Sequence, residues 1–412
     1  MNSRLCSISL IALFAVIAAF SLVACGADSE PAEVPSVASS SAPPPTPAPE
    51  PTPVPEPTSA PPPSPTAAPA VVAVPTATSV PEPTATAAPV PTATTVPTPT
   101  AVPYPAVAGI VDPSNRGWPR EIETPDGVIV IEEPPQSVLS YSLGHDEMVL
   151  AMLSTERVAA VGKFTADPAY SNIAEFASSL PIYEKGVENV LAAAPDLVIV
   201  SKYTDADIVD LIEEAGVTVV RPALESSAEG NIPNILLIGY MLGVEERALE
   251  LAADIENRLS AVNDRVPPPG DDSRPVVLAL TNYSDKIYAA GESTTEGGII
   301  VAGGGVNAAA EEGLSSHQEI SIESIAAMDP DVILVTQPPA FGGIQFRDEL
   351  LSNAVLAAVP AVADGEVHLV DSRRYTTLSH WNVRGIENTA LLLYPDLFSE
   401  TEFADFEPYA GQ

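Results

Sequence analysis

The sequence predicts an α/β protein whose two lobes, with mainly parallel sheets, are joined by a single long helix. Short apolar strands alternate with helical segments before residue 221 and again after residue 275, which is the pattern of parallel βαβ units. Between them, apolar residues recur every three or four positions from Val244 to Val266 without a Gly or Pro. This spacing predicts one continuous helix with a single apolar face.

Residues 1–25 have the order of an export signal. Arg4 precedes an apolar run from Ile8 to Ala24, which is somewhat short for a membrane span. The ending Leu22-Val-Ala-Cys25 resembles the lipobox of bacterial lipoproteins, which implies that Cys25 is diacylated and becomes the mature N-terminus. The alternative is an uncleaved transmembrane anchor. Both interpretations place the remaining chain outside the cytoplasm, on the cell surface or in a periplasm.

Residues 26–107 are predicted to be a disordered stalk. More than half of the 45 prolines lie here, among Ala, Thr, Val and Ser. Such a segment has too little bulky apolar surface to offset the entropy of ordering, and it favours extended polyproline II conformations. We interpret it as a tether; neutral low-complexity drift is the alternative.

Charge and cysteine content exclude several functions. The net charge is -38 at pH 7, which disfavours binding to nucleic acid. The only cysteines are Cys6 and Cys25, so the chain beyond the signal cannot form disulfides or use a Cys nucleophile.

The folded part is predicted to consist of an N-terminal α/β lobe (108–243), a linking helix (244–266) and a C-terminal α/β lobe (267–412). A hairpin around Pro125-Asp-Gly127 begins the first lobe. In such a protein, ligands are expected in the groove between the lobes, outside the carboxyl ends of the strands.

Five short segments occur in the order typical of one family. Over about residues 119–400 the chain resembles the substrate-binding proteins of ABC importers for iron-siderophores, haem and cobalamin. The resemblance implies an extracytoplasmic binding protein, not an enzyme, that acts as a monomer with an ABC permease and a small-molecule ligand. It also implies no resident cofactor or metal site, because the metal arrives within the transported chelate. The segments are Pro134–Ser140, Glu188–Val198, Ala302–Asn307, Ser321–Ile333 and Asp364–Val370.

Two glutamates recur symmetrically. Glu188 and Glu323 each stand seven residues before a Pro-Asp pair that opens a strand. The family resemblance implies that they dock against arginines of the permease. The alternative is that each glutamate only favours the start of a helix through its dipole.

The ligand contacts are predicted from aromatic and basic residues in loops that follow strands. Aromatic walls suit a large planar or macrocyclic ligand, and His or Tyr could bind a haem iron. Ordinary packing is the alternative for each of them. The candidates are Tyr141, His145, Lys202 and Tyr203 in the first lobe, with Lys163 and Phe164 nearby, and Tyr283, Arg373, Arg374, Tyr375, His380 and Trp381 in the second.

A stalked surface adhesin or sensor on the same fold is the alternative function. An extracellular hydrolase is disfavoured, because the sequence offers no identifiable nucleophile and base.

Overall fold

A computed structural model describes residues 103–409. The predicted signal, including Cys25, and nearly all of the predicted stalk lie outside the described residues. We call residues 103–243 the N lobe and residues 267–397 the C lobe.

The folded body begins earlier than the predicted boundary at residue 108. Tyr104 is 3% exposed, and its hydroxyl donates to the Leu236 carbonyl at 2.6 Å. Its ring stacks on Tyr240, with 6.2 Å between the centroids. The flanking Pro103 and Pro105 made this tyrosine look like part of the stalk, but it anchors the start of the N lobe.

The N lobe opens with the predicted hairpin, β1 (Arg120–Thr124) and β2 (Gly127–Ile131), which are paired antiparallel. Gly127 has a φ of 132°, a conformation that glycine adopts without strain. The hairpin is followed by the strands β3 (Val138–Ser140), β4 (Val158–Gly162), β5 (Ile182–Tyr183), β6 (Leu197–Ile199) and β7 (Thr218–Val220). These five form a wholly parallel sheet in the order β5-β4-β3-β6-β7.

Four helices accompany this sheet: α1 (Leu143–Met152), α2 (Ala174–Ala177), α3 (Val187–Ala192) and α4 (Ala206–Glu214). A fifth, α5 (Ala228–Leu242), was not predicted from the sequence. Most of its residues are buried, so it lacks the polar face that gives a surface helix its period. The Ser227 side chain accepts from Gly230 N at its start, and Gly243 ends it with a φ of 70°.

The predicted linking helix is present as α6 (Glu245–Asn263), three residues shorter at its C-terminal end than the predicted 244–266. Its buried face contains Ala248, Ala252, Ile255 and Val262. α6 packs closely on α5, because a Cβ atom at Gly239 would lie only 2.2 Å from the Cβ of Ala248. α6 also contacts α1 in the N lobe.

The C lobe contains a mixed sheet with three parallel and two antiparallel pairings, which fits the predicted mainly parallel arrangement. Its strands are β8 (Val276–Tyr283), β9 (Lys286–Ala290), β10 (Val306–Asn307), β11 (His317–Ile320), β12 (Val332–Val335) and β13 (Val367–Leu369). The order is β11-β9-β8-β12-β13, with β10 paired to β8. β8, β10, β12 and β13 are parallel, while β9 and β11 add two antiparallel pairings through the tight β8–β9 turn.

The C-lobe helices are α7 (Thr295–Ala302), α8 (Ala308–Glu311), α9 (Ile322–Met328), α10 (Gly343–Ser352), α11 (Pro360–Ala363), α12 (Ser372–Tyr375) and α13 (Asn382–Leu393). α7 and α13 pack against α6, and the largest apolar core runs from the N lobe past α6 into the C lobe. Within residues 103–409, no helix combines the length and apolarity needed to cross a membrane.

A buried ion network fastens α6 to the C lobe. Glu387 of α13 is 0% exposed and accepts from Arg258 of α6 through two bonds of 2.7 Å. Arg384 donates to the same carboxylate at 2.6 Å. Because two guanidinium groups surround it, Glu387 compensates charge that would otherwise be poorly solvated.

We expect Glu387→Gln to lower the free energy of unfolding by about 3 kcal/mol, because it leaves two arginines without their buried carboxylate. Asp348→Asn is the control. It breaks the exposed Arg347–Asp348 pair of 2.7 Å, and should cost less than about 1 kcal/mol. Urea denaturation measures both, and equal costs would contradict the assigned role of Glu387.

Candidate ligand-binding cleft

A cavity of about 600 Å³ lies at the carboxyl ends of β3, β4, β5 and β6. The last residue of a strand or the loop just after it forms each part of the wall, as expected for a parallel sheet. Four of the loop residues singled out in the sequence line it: Tyr141, Lys163, Phe164 and Tyr203. The sheet edge of the N lobe is therefore one side of the candidate site.

Aromatic rings and lysines share this cavity. Tyr141 stacks on Tyr183 with 6.0 Å between ring centroids, and the Tyr183 hydroxyl donates to the Ser140 carbonyl at 2.7 Å. Lys185 Nζ lies 6.0 Å from the Tyr141 ring centroid, and Lys202 Nζ lies 5.4 Å from that of Tyr203. Acidic side chains line the cavity as well: Glu184 pairs with Lys163 at 3.1 Å, and Asp205 lies in the same wall.

A second cavity, of about 660 Å³, lies between the lobes. The N lobe contributes Asp167–Ala169, and the C lobe contributes Pro338–Ala340 and Leu369–Arg373. The lobes also touch through exposed rings: Phe164 meets Tyr170 at 5.2 Å between centroids, and Tyr170 meets Phe341 at 5.5 Å. These rings connect the N-lobe cavity with the interlobe cavity.

Asp146 holds the loop that carries Lys163 and Phe164. Its buried carboxylate accepts from the Ser140 and Thr165 hydroxyls and, at 3.1 Å, from Gly162 N. Burial is the main cause that raises the pKa of Asp146 to about 7. The carboxyl group joins the ends of β3 and β4 and so fixes the cavity wall.

Glu147 joins the two lobes beside the cleft. Its buried carboxylate accepts from Thr377 Oγ1 at 2.6 Å, from the Ser379 hydroxyl and from Asn172 Nδ2 at 3.0 Å. Asn172 Nδ2 also donates to the Arg373 carbonyl at 2.9 Å. Burial is the largest influence on Glu147 and raises its pKa. Adjacent Asp146 and Glu147 therefore serve two different junctions, one within the N lobe and one between the lobes.

The other predicted ligand residues differ in accessibility. Lys202 lies beside the cavity through its contact with Tyr203, which is 70% exposed. Arg373 lines the interlobe cavity, but Asp371 accepts from it at 2.8 and 2.6 Å, and Arg374 instead pairs with Asp405 at 2.9 Å. Tyr283 is 73% exposed at the β8–β9 turn and lines neither cavity.

Four predicted ligand residues lie in the interior, which corrects their assignment: His145 (0% exposed), Tyr375 (0%), His380 (1%) and Trp381 (3%). The Tyr375 hydroxyl bonds to Thr389 Oγ1 at 2.9 Å, and His380 packs edge-on against Phe406. The segment after β13 turns Tyr375, His380 and Trp381 inward, because Thr377 and Ser379 in the same segment donate hydrogen bonds to Glu147. A sequence alone does not show which side of a loop faces the core.

Sequence reasoning missed Tyr170, Lys185 and Phe341. Phe341 lies in the loop after β12, and Lys185 in the loop after β5, at the same edge as the predicted residues. Their position after a strand was the available signal.

Glu188 and Glu323 occupy equivalent places in the two lobes. Each lies exposed in the first turn of a short helix, α3 or α9. Each helix is followed by a residue of positive φ, Ala194 at 49° and Asp329 at 46°. The Glu323 backbone N–H and the Ser321 hydroxyl lower the pKa of the Glu323 carboxyl.

The Pro-Asp pairs have a structural role that explains their recurrence. Asp196 accepts from Gln136 N at 2.6 Å, and Asp331 accepts from Val276 N at 2.8 Å. Each aspartate thus ties its own strand to the neighbouring central strand of its lobe. The exposed glutamates take no part in these bonds, and their role in docking stays a prediction.

Comparison with known proteins identifies the family. Residues 138–373 match the periplasmic binding protein family. The chain belongs to this family. Its members bind solutes and are not enzymes.

Two relatives and one solved structure illustrate the similarity. An uncharacterized ABC transporter substrate-binding lipoprotein of Bacillus subtilis, YvrC, is 23% identical over 66% of this chain and 84% of its own. The cobalamin-binding protein of Halobacterium salinarum is 28% identical over 52% of this chain and 57% of its own. The apo periplasmic haem-binding protein RhuT of Roseiflexus sp. RS-1 has the same fold (TM-score 0.55, 24% identity, 64% of this chain and 99% of that one).

The buried histidines predict a loss of stability in acid. Burial, with a smaller contribution from Arg258, lowers the pKa of His380 to about 3, while the unfolded value is about 6.5. As the pH falls below 6.5, His380 binds a proton in the unfolded chain before it does so in the folded protein. Protonation therefore favours the unfolded state below this pH and has no effect above it.

We therefore expect the wild type to lose more free energy of unfolding than His380→Gln does when the pH falls from 7.5 to 5. The shift should be at most about 1.4 kcal/mol per pH unit. Because Asp146 and Glu147 titrate in both proteins, the comparison isolates His380. Denaturant titrations measure both proteins at each pH. A difference in free energy of unfolding that stays constant across this range would contradict the prediction.

Proposed function

We propose that this protein is a lipid-anchored, extracytoplasmic substrate-binding protein that captures a ferric siderophore, haem or cobalamin and delivers it to an ABC permease. The observation that carries the proposal is the cleft in which Phe164 and Tyr170 of the N lobe meet Phe341 of the C lobe. A ligand held there contacts both lobes at once, so its arrival can change what the lobes present to a partner.

The chemistry of the cleft favours a large planar chelate. Exposed rings offer stacking surfaces, and Lys185 and Lys202 offer charge to a carboxylate or other anionic group on the ligand, while Lys163 already pairs with Glu184 at 3.1 Å. The cobalamin-binding relative and the haem-binding structure support the same ligand class. The two interior histidines do not reach the cleft, so the proposed contacts are rings and ammonium groups.

Removal of one cleft ring should weaken binding without unfolding the protein. We expect Phe341→Ala to lower ligand affinity about tenfold, or about 1.4 kcal/mol, since Phe341 is 50% exposed and supports no core. Tyr283→Ala removes another exposed ring, which lies outside the cavities, and is the control. Thermal-shift titration with cobalamin, haem and several ferric siderophores measures both variants. Stabilisation of the wild type by none of them at micromolar concentration would favour the adhesin or sensor.

The lipid anchor is proposed from Cys25 and agrees with the lipoprotein name of the Bacillus relative. We expect Cys25→Ala to abolish incorporation of labelled palmitate and to release the protein from washed membranes. Without the Cys25 thiol, no acyl chain can be attached to anchor the protein. Ser21→Ala, in the same segment, is the control. Palmitate incorporation into the Cys25→Ala chain would contradict the proposal.

Delivery to the permease is proposed to depend on Glu188 and Glu323. We expect the double change to Ala to reduce ligand uptake by cells at least tenfold while ligand affinity stays unchanged, because the two carboxylates orient the complex on basic residues of the permease. The matched control is Asp207→Ala with Glu229→Ala, two exposed acids in the first turns of α4 and α5. Equal uptake by the two double variants would remove the docking role.

A further inference from the structure

The last described segment of the chain crosses from one lobe to the other. We call residues 398–409 the C-terminal strap. Phe398, at its start, is 1% exposed beside the end of the C lobe. Tyr409, at its end, donates its backbone N–H to the Leu150 carbonyl of α1 in the N lobe at 2.7 Å. The strap lies outside the segment that matches the family, residues 138–373.

The middle of the strap is fixed to the C lobe. Asp405 accepts from Arg384 Nε at 2.8 Å and from Arg374 Nη2 at 2.9 Å. The Phe406 ring is 7% exposed and packs edge-on against His380 and Trp381, at 4.7 and 5.5 Å between centroids. The His380 and Trp381 side chains, once predicted to bind ligand, instead form the seat of the strap.

Three arginines in or just after α6 face the strap. Arg247, Arg258 and Arg265 are the only basic residues between positions 245 and 266. Arg247 and Arg258 are eleven residues apart, which at 3.6 residues per turn places them on one side of α6, and Arg265 follows two residues after the helix ends.

Each of these arginines contacts the strap. The Arg247 guanidinium lies 4.6 Å from the Tyr409 ring centroid, and that of Arg258 lies 4.0 Å from Phe406. Arg258 Nη2 also donates to the Ala404 carbonyl at 2.7 Å, and Arg265 Nη1 donates to Thr401 Oγ1 at 2.7 Å. Cation–π contacts of this kind favour a fixed position of the ring. The strap therefore follows α6 over its whole length.

The opposite side of α6 is open. Glu256, Ser260 and Asn263 line a cavity of about 620 Å³ that lies between α6, the start of α5 and the end of α7. An added Cβ atom at Gly298, across this cavity, would meet nothing within 4 Å. One flank of α6 is thus covered by the strap, and the other flank leaves room for the lobes to move.

We propose that the C-terminal strap is a brace that limits the movement of the two lobes about α6. Its Tyr409 end is the connection to the N lobe, and Asp405 with Phe406 is the connection to the C lobe. The inference follows from contacts within the chain and does not depend on the identity of the ligand.

The test separates the two connections. A chain that ends at Glu407 loses Tyr409 but keeps the C-lobe contacts of Asp405 and Phe406. Nitroxide labels at Leu211→Cys in the N lobe and Val355→Cys in the C lobe, both exposed, report the distance between lobes by pulsed electron spin resonance. The full chain carries Cys6→Ser and Cys25→Ser so that the labels are unique. We expect the width of the distance distribution at least to double in the chain that ends at Glu407.

Matched variants exclude a general loss of structure. A chain that ends at Tyr409 and the variant Tyr409→Phe keep the ring on Arg247 and should give the distribution of the full chain. Tyr409→Ala, which leaves the chain complete, should broaden it. A distribution that stays unchanged both in the chain ending at Glu407 and in Tyr409→Ala would overturn the proposal.

Discussion

Burial of one apolar face of α6 is the constraint on which the other features depend. Ile255 and Val262 are at most 1% exposed, and each such side chain contributes roughly 1.5–3 kcal/mol when it leaves water. On this face α6 packs against α1 and α5 in the N lobe and against α7 and α13 in the C lobe. Because the helix is a stiff element, it holds both sheets at a set separation, and the carboxyl ends of their parallel strands border one cleft.

The cleft combines two properties that the whole chain does not have. The protein carries a net charge of -38, yet three lysines lie in or beside the N-lobe cavity, in company with Glu184 and Asp205, and exposed rings from both lobes meet beside it. Further exposed acids, including Glu188 and Glu323, lie outside the cavity. The lysines and rings of the cleft and the exposed carboxylates outside it provide separate surfaces for the proposed chelate and the proposed basic partner.

Local patterns predicted the features that local physics determines. The hairpin at Gly127, the helix from residue 245 and the paired Glu–Pro-Asp segments follow from turn chemistry, periodicity and strand starts. The sequence did not reveal α5, since a helix that is buried on most sides has no polar face. It also misplaced Tyr375, His380 and Trp381, because their direction depends on bonds from Thr377 and Ser379 to a glutamate 230 residues earlier in the chain.

Contact of the ligand with both lobes is the central claim, and hydrogen–deuterium exchange of the full chain tests it most directly. The probe is whichever of cobalamin, haem or a ferric siderophore stabilises the protein, added at saturation. The account predicts slower amide exchange in the N-lobe loops 163–170 and 183–185 and, together with them, in the C-lobe loop 338–342. Protection in one lobe alone, or protection around α6 with none in these loops, would contradict it.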